Sequence, residues 1–107
     1  MLTIKQLQLN NKLRCEQDFR RIDDWAGSQY GNAIAGEVGE LCNIIKKIER
    51  KNVPGDETLG PEDIGKELAD IICYACLIAT KYKLDLETCI VEKFNEVSER
   101  VDSKYRL

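Results

Sequence analysis

Between Leu68 and Ala79 the sequence reads LADIICYACLIA, apolar around almost the whole circumference of any helix drawn through it. Such a helix has to be covered on most sides, which predicts a central position with other helices packed around it. The rest of the chain supplies those partners. Ile4, Leu7, Leu13, Phe19 and Ile22 recur at mostly helical spacings and predict a first helix from about Thr3 to Trp25. DDWAGSQYGN, with two glycines, reads as a connection. A second helix follows from about Asn32 to Arg50, with Ile34, Val38, Leu41, Ile44, Ile45 and Ile48 on one broad face. KNVPGDETLGP, holding Pro54-Gly55 and Gly60-Pro61, is the clearest loop. Pro61 suits the first position of a helix, and Glu62 and Asp63 suit the positive end of its dipole, so the third helix starts there and runs to about Tyr82. KYKLD breaks the chain again before a fourth helix from about Leu86 to Val101, carrying Ile90, Phe94 and Val97. No segment shows the strict alternation of a strand. The expected fold is all-α, a four-helix, bundle-like single domain over residues 1–107.

The composition narrows the function. The 107 residues suffice for one domain, and a hydrophobic fraction of 43% supports a real core. A net charge of −3, with acids and bases interleaved, gives no general surface for a nucleic acid polymer. The apolar run of the third helix is too short to span a bilayer, and MLTIKQLQLNNKLR lacks the apolar core of a signal peptide. The expectation is a cytoplasmic protein without a membrane partner. Five cysteines form no regular framework, and Cys73 and Cys76, a C-x-x-C inside an apolar helical pattern, read as small buried hydrophobes rather than a redox or zinc pair. The chain has no histidine, which removes histidine-dependent triads and the commonest zinc sites.

Against that background two acidic pairs stand out. Glu37 and Glu40 share a helical face, as do Glu67 and Asp70, because residues three apart lie on the same side. Val38, Leu41, Leu68, Ile71 and Cys73 lie close by, so the acids border apolar surface rather than oppose it. If the second and third helices pack antiparallel, the pairs converge. Four converging carboxylates repel and carry a desolvation cost of several kcal/mol each. A hard divalent cation removes that cost, and an all-carboxylate site without histidine suits Mg²⁺ or Mn²⁺, with water and substrate phosphates completing the shell. Gly36 and Gly39 beside the first pair suggest close approach by a helix or ligand. The competing reading is a helical interaction module whose acids only keep its surface soluble.

GEVGELCNIIKK followed by GKELADIICY resembles the MazG-like all-α nucleoside triphosphate pyrophosphohydrolases, which include dCTP pyrophosphatase and dimeric dUTPase relatives. The family pattern, E-x-x-E, a variable spacer, then E-x-x-D, matches at Glu37, Glu40, Glu67 and Asp70, and the likeness extends from about Tyr30 to Arg100. Many members begin with two adjacent acids, where this sequence has Gly36; its shorter GEVGEL form is similar to the dCTP-pyrophosphatase branch. The resemblance implies Mg²⁺-dependent hydrolysis of a nucleoside triphosphate to the monophosphate and pyrophosphate, with Glu37, Glu40, Glu67 and Asp70 as metal ligands. It also implies a homodimer or homotetramer. Without histidine, Glu37 or Glu40 is the expected general base. Lys46 and Lys47 lie beyond the first pair, and EKFNEVSER is similar to the family's C-terminal lysine-and-asparagine segment. This points to Lys47, Lys93 and Asn95, with Arg100 nearby, as substrate contacts. Tyr74, one turn after Asp70, is placed to bound or stack on a base, and Trp25 to wall its pocket. The same fold without turnover is the remaining alternative.

Overall fold

A computed structural model describes residues 1–50 and 53–107, so Lys51 and Asn52, the first two residues of the expected loop, lie outside the described residues. The described residues form four α-helices: α1 (Ile4–Asp18), α2 (Gly27–Arg50), α3 (Pro61–Lys81) and α4 (Leu86–Arg100), with short 3₁₀ turns at Ile22–Asp24 and Asp56–Thr58. The all-α expectation holds.

Thr3 starts α1 through a reciprocal cap in which its hydroxyl accepts from the Gln6 amide and its own N–H donates to the Gln6 side chain, both at 3.0 Å. The helix stops well before Trp25, which corrects the sequence reading. The Cys15 carbonyl accepts from both Phe19 N, at 3.0 Å, and Arg20 N, at 2.8 Å, and this closes the last turn. The 3₁₀ turn is held by Arg21 N donating to Asp24 Oδ2 at 3.1 Å, and Trp25 follows it. The start of α2 is corrected in the opposite direction, because the helix runs through Gly31, where a connection was expected. Glycine in a helix costs about 1 kcal/mol relative to alanine. Two contacts offset it here. Gln29 Oε1 accepts from Ala26 N at 2.8 Å at the helix entrance. Tyr30 is completely buried, and its hydroxyl donates to the Ile22 carbonyl at 2.8 Å. At Gly27 the Tyr82 hydroxyl lies where a Cβ would stand, so a larger residue there would displace that exposed side chain.

Pro61 opens α3 as expected, with Asp63 Oδ2 accepting from Gly60 N at 2.9 Å. Between α3 and α4, Lys83 takes a left-handed φ of 58° so that Leu84 N can donate back to the Ala79 carbonyl at 2.8 Å. Gln8 of α1 then holds this corner, donating to the Leu84 carbonyl at 2.8 Å and accepting from Leu86 N at 3.0 Å.

Helix α3 is central, packing against α2 on one side and α1 on another, while α4 packs mainly against α1. Tyr30 meets Leu77 in the core and Glu37 meets Glu67, so α2 and α3 run antiparallel. The main core gathers Cys15, Ile22, Tyr30 and Leu77, with Trp25, Tyr74 and Ile78 packed against it. The cover over α3 is incomplete: Leu68 and Ile72 remain 48% and 43% exposed. All five cysteines are free thiols, and burial, helped by Cys73 nearby, raises the Cys76 thiol above its ordinary range. Among the described residues no helix is long and apolar enough to cross a membrane.

Candidate active site

The antiparallel pairing of α2 and α3 gathers the acids. Glu37, Glu67 and Asp70 each present a carboxylate oxygen, and these oxygens all lie within 4.8 Å of one another. Around one six-coordinate ion with bonds of about 2.1 Å, ligand oxygens sit up to about 4.2 Å apart. The trio is therefore within a slight contraction of a shared ion. Glu40 is exposed and stands outside the trio, though it is near enough to Glu67 to favour that group's charged form.

Two oxygens in this cluster have no counterpart. Glu37 Oε2 and Glu67 Oε2 are buried with no hydrogen-bond donor. Buried carboxylate oxygens are normally satisfied, and leaving one bare costs more than any ordinary hydrogen bond returns. Without a cation the arrangement favours the protonated form of Glu67. The Glu67 carboxyl is held above the usual carboxylate range, first by the facing Glu37, with which a proton would be shared, then by desolvation, then by the charges of Glu37 and Asp70. A cation would satisfy both bare oxygens and remove the need for that proton. The donor set, all oxygen and all anionic, fits a hard divalent ion.

A cavity of about 210 Å³ adjoins the acids, sharing Asp70 with them and lined also by Arg14, Phe19, Arg20, Tyr74 and Leu77. Tyr74 thus stands in the wall of a pocket next to Asp70. Arg20 is held by aromatic stacking, its guanidinium carbon 3.4 Å from the centroid of Trp25 and 5.5 Å from that of Tyr30. Trp25 itself is behind Arg20 rather than among the lining residues, and its ring lies 5.2 Å from Tyr30. Asn11, buried in the α1–α3 joint, donates to the Cys73 carbonyl at 2.7 Å and accepts from Arg14 Nη2 at 3.1 Å. It therefore fixes both the helix contact and the position of Arg14.

The other expected substrate contacts lie elsewhere. Lys47 is half-buried on α2 and Lys46 exposed, both toward the end of the helix. Lys93 pairs with Glu96 of its own helix at 3.3 Å. Asn95 is engaged by the backbone of Leu107, donating to its carbonyl at 3.3 Å and accepting from its amide at 2.9 Å. Arg100 ends the same helix, which packs mainly on α1 and not on the helix pair that carries the acids. Sequence reasoning missed Asn11, Arg14 and Arg20 altogether. They sit on α1 and just after it, and no spacing within the sequence ties them to Asp70.

A family model described as the MazG nucleotide pyrophosphohydrolase domain matches residues 27–102, which takes in both acidic pairs. No curated protein matches the chain, and no solved structure does.

Proposed function

This chain belongs to the MazG nucleotide pyrophosphohydrolase family, and on that premise we propose that it hydrolyses nucleoside triphosphates to the monophosphate and pyrophosphate with Mg²⁺, or Mn²⁺ in its place. The observation that carries this reading is the pair of bare, buried oxygens, Glu37 Oε2 and Glu67 Oε2, in a cluster with Asp70. Ordinary surface acids turn their oxygens to water. These do not.

Glu37, Glu67 and Asp70 would hold the ion, with Glu40 joining from one turn along α2. When bound, the ion supplies charge neutralisation for the triphosphate and polarisation of its phosphoryl oxygens. The protein's own part is to place the substrate and move a proton. Water attacks the phosphorus nearest the sugar, the bond from that phosphorus to the bridging oxygen breaks, and pyrophosphate departs. A carboxylate of the cluster takes the proton of the attacking water, and Glu37 and Glu40 are the candidates. Tyr74 bounds the pocket in which the nucleoside lies, and Trp25 holds Arg20 in its wall. Lys47 adds positive charge from α2. Lys93 and Asn95 belong to this reading as contributions from a neighbouring subunit, the working unit being a homodimer or homotetramer. Cleaning of the nucleotide pool in the cytoplasm is the biological role proposed.

The test is product analysis with a panel of normal and modified deoxynucleoside triphosphates and Mg²⁺. Pyrophosphate and the monophosphate should appear together, without a diphosphate, and EDTA should stop the reaction. Orthophosphate and a diphosphate as first products would move the protein to a different reaction. No turnover with any triphosphate would leave only a helical interaction module of this fold.

A further inference from the structure

The cavity between α1 and α3 has an unusual balance of polar groups. Two of its acceptors are engaged within the protein. Asn11 Oδ1 receives Arg14 Nη2 at 3.1 Å, and the Arg20 carbonyl receives the Cys15 thiol at 3.4 Å. The Asp70 carboxylate belongs to the acidic cluster. Its donors are the two guanidinium groups, Arg14 exposed to solvent and Arg20 half-buried. Among the described residues neither Arg14 nor Arg20 forms an ion pair. Arg20 Nε is buried without any acceptor, although a buried guanidinium N–H normally has one. Stacking on Trp25 and Tyr30 fixes the plane of this guanidinium, and the Tyr30 hydroxyl lies near enough to engage it, but Nε is left without an acceptor.

We infer that this cavity is a base-reading subsite in which Arg14 and Arg20 select a purine carrying an oxo group beside its ring nitrogen, as guanine and hypoxanthine do. The inference rests on the nucleotide hydrolysis proposed above and names the substrate class. Asp70 is common to the acidic cluster and the cavity wall, so a nucleotide with its phosphates at the acids has its nucleoside end beside this cavity. Phe19 and Tyr74 supply aromatic surface for stacking. Discrimination then falls to the edge of the base. Guanidinium donors match the adjacent O6 and N7 acceptors of a 6-oxopurine, whereas adenine turns an amino donor toward them. A site built to donate rejects a ligand that leaves its donors unpaired. A phosphate is the other acceptor-rich group that two arginines suit. The Asp70 carboxylate in the same wall disfavours it, and the test separates the two.

The experiment compares dGTP and dITP with dATP in two ways. One is kcat/KM with Mg²⁺. The other is the affinity for the monophosphates dGMP, dIMP and dAMP, followed by the fluorescence of Trp25, the single tryptophan, which stacks on Arg20. The wild type should favour the oxo bases about tenfold to a hundredfold in both readouts. Arg20→Gln should abolish or invert that ratio, because a glutamine amide matches the adenine edge. Arg20→Lys keeps the charge but loses the paired donors, and Arg14→Gln removes one partner. Both should lower the ratio, and they carry the test if Arg20→Gln does not fold by circular dichroism. A wild-type ratio near one would overturn the inference. So would an equal loss for every base in the arginine variants, which is the signature of a phosphate contact. If no triphosphate is hydrolysed, the proposed function fails, yet the monophosphate affinities still decide whether the cavity reads an oxo base.

Discussion

Single residues carry the sharpest consequences of the acidic cluster. Glu40→Gln and Asp70→Asn keep size and most hydrogen bonding while deleting one charge each. Turnover should fall by on the order of a hundredfold or more if these groups hold the ion, while helical circular dichroism stays unchanged. Near-normal rates in both variants would end the metal-site reading. Glu67 allows a test without turnover. Its carboxyl is raised in the folded protein, with Glu37 the foremost cause, so the fold favours the protonated form. The stability this contributes is present below the ordinary glutamate range and is lost as pH rises through the raised value. Metal-free protein in EDTA should therefore lose thermal stability as pH rises above the ordinary glutamate range, and Glu67→Gln should flatten that slope. A slope of the opposite sign would contradict the packing of Glu67 against Glu37. Mg²⁺ should restore the melting temperature at neutral pH in the wild type, since an ion that binds only the native state stabilises it.

At the scale of elements, the helices that declare themselves in the sequence are those whose ends carry local chemistry. Pro61 with its following acids and the KYKLD break placed the α3 start and the α4 boundaries close to where they are, because caps and breakers act within a few residues. The end of α1 and the start of α2 were misplaced for different reasons. The Cys15 carbonyl closes α1 early through backbone bonds that no breaker residue announces, whereas the start of α2 depends on Tyr30, whose burial against Ile22 and Leu77 carries the helix through its glycines and leaves no local signature. The site divides the same way. The gathering of Glu37, Glu67 and Asp70 was legible because a helix repeats every three to four residues, although Glu40, expected with them, stands outside the trio. Asn11, Arg14 and Arg20 were not, since only the packing of α1 on α3 brings them to Asp70. The Tyr30 contact that sets the start of α2 is itself testable. Tyr30→Phe keeps the ring but leaves the Ile22 carbonyl without its donor, and a buried unsatisfied carbonyl costs about 1–3 kcal/mol. The urea midpoint should shift accordingly with an unchanged m-value, and no shift would mean that water reaches the carbonyl.

The whole molecule is more open than a compact monomer of its size. Its accessible surface is 7774 Å², whereas a folded monomer of 12.2 kDa exposes about 6,000 Å². Its radius of gyration is 16.8 Å, against about 13 Å for a compact chain of this length. The surplus surface is apolar in an ordered way. Val38 and Ile45 on α2, Leu68 and Ile72 on α3, and Ile90 and Phe94 on α4 are each more than a third exposed, at spacings that keep each pair on one helical face. Patches of this kind mark interfaces in soluble proteins. The size argues for more than a marginal contact, because a standard interface takes about 800 Å² from each partner and the excess here is about 1,700 Å². One large two-fold interface, or two ordinary ones in a tetramer of paired dimers, would consume it. Closure within one chain is the alternative, with α1 wrapping back over the excess. Yet α1 already occupies the other side of α3 and leaves Leu68 and Ile72 uncovered. Light scattering at low micromolar concentration should therefore give a dimeric or tetrameric mass. Phe94→Asp, which sets a charge on the exposed face of α4, should shift that mass toward the monomer, with a lower melting temperature that depends on concentration. A wild-type monomer with full activity would reject the oligomer, and with it the contribution of Lys93 and Asn95 to a neighbouring subunit's site.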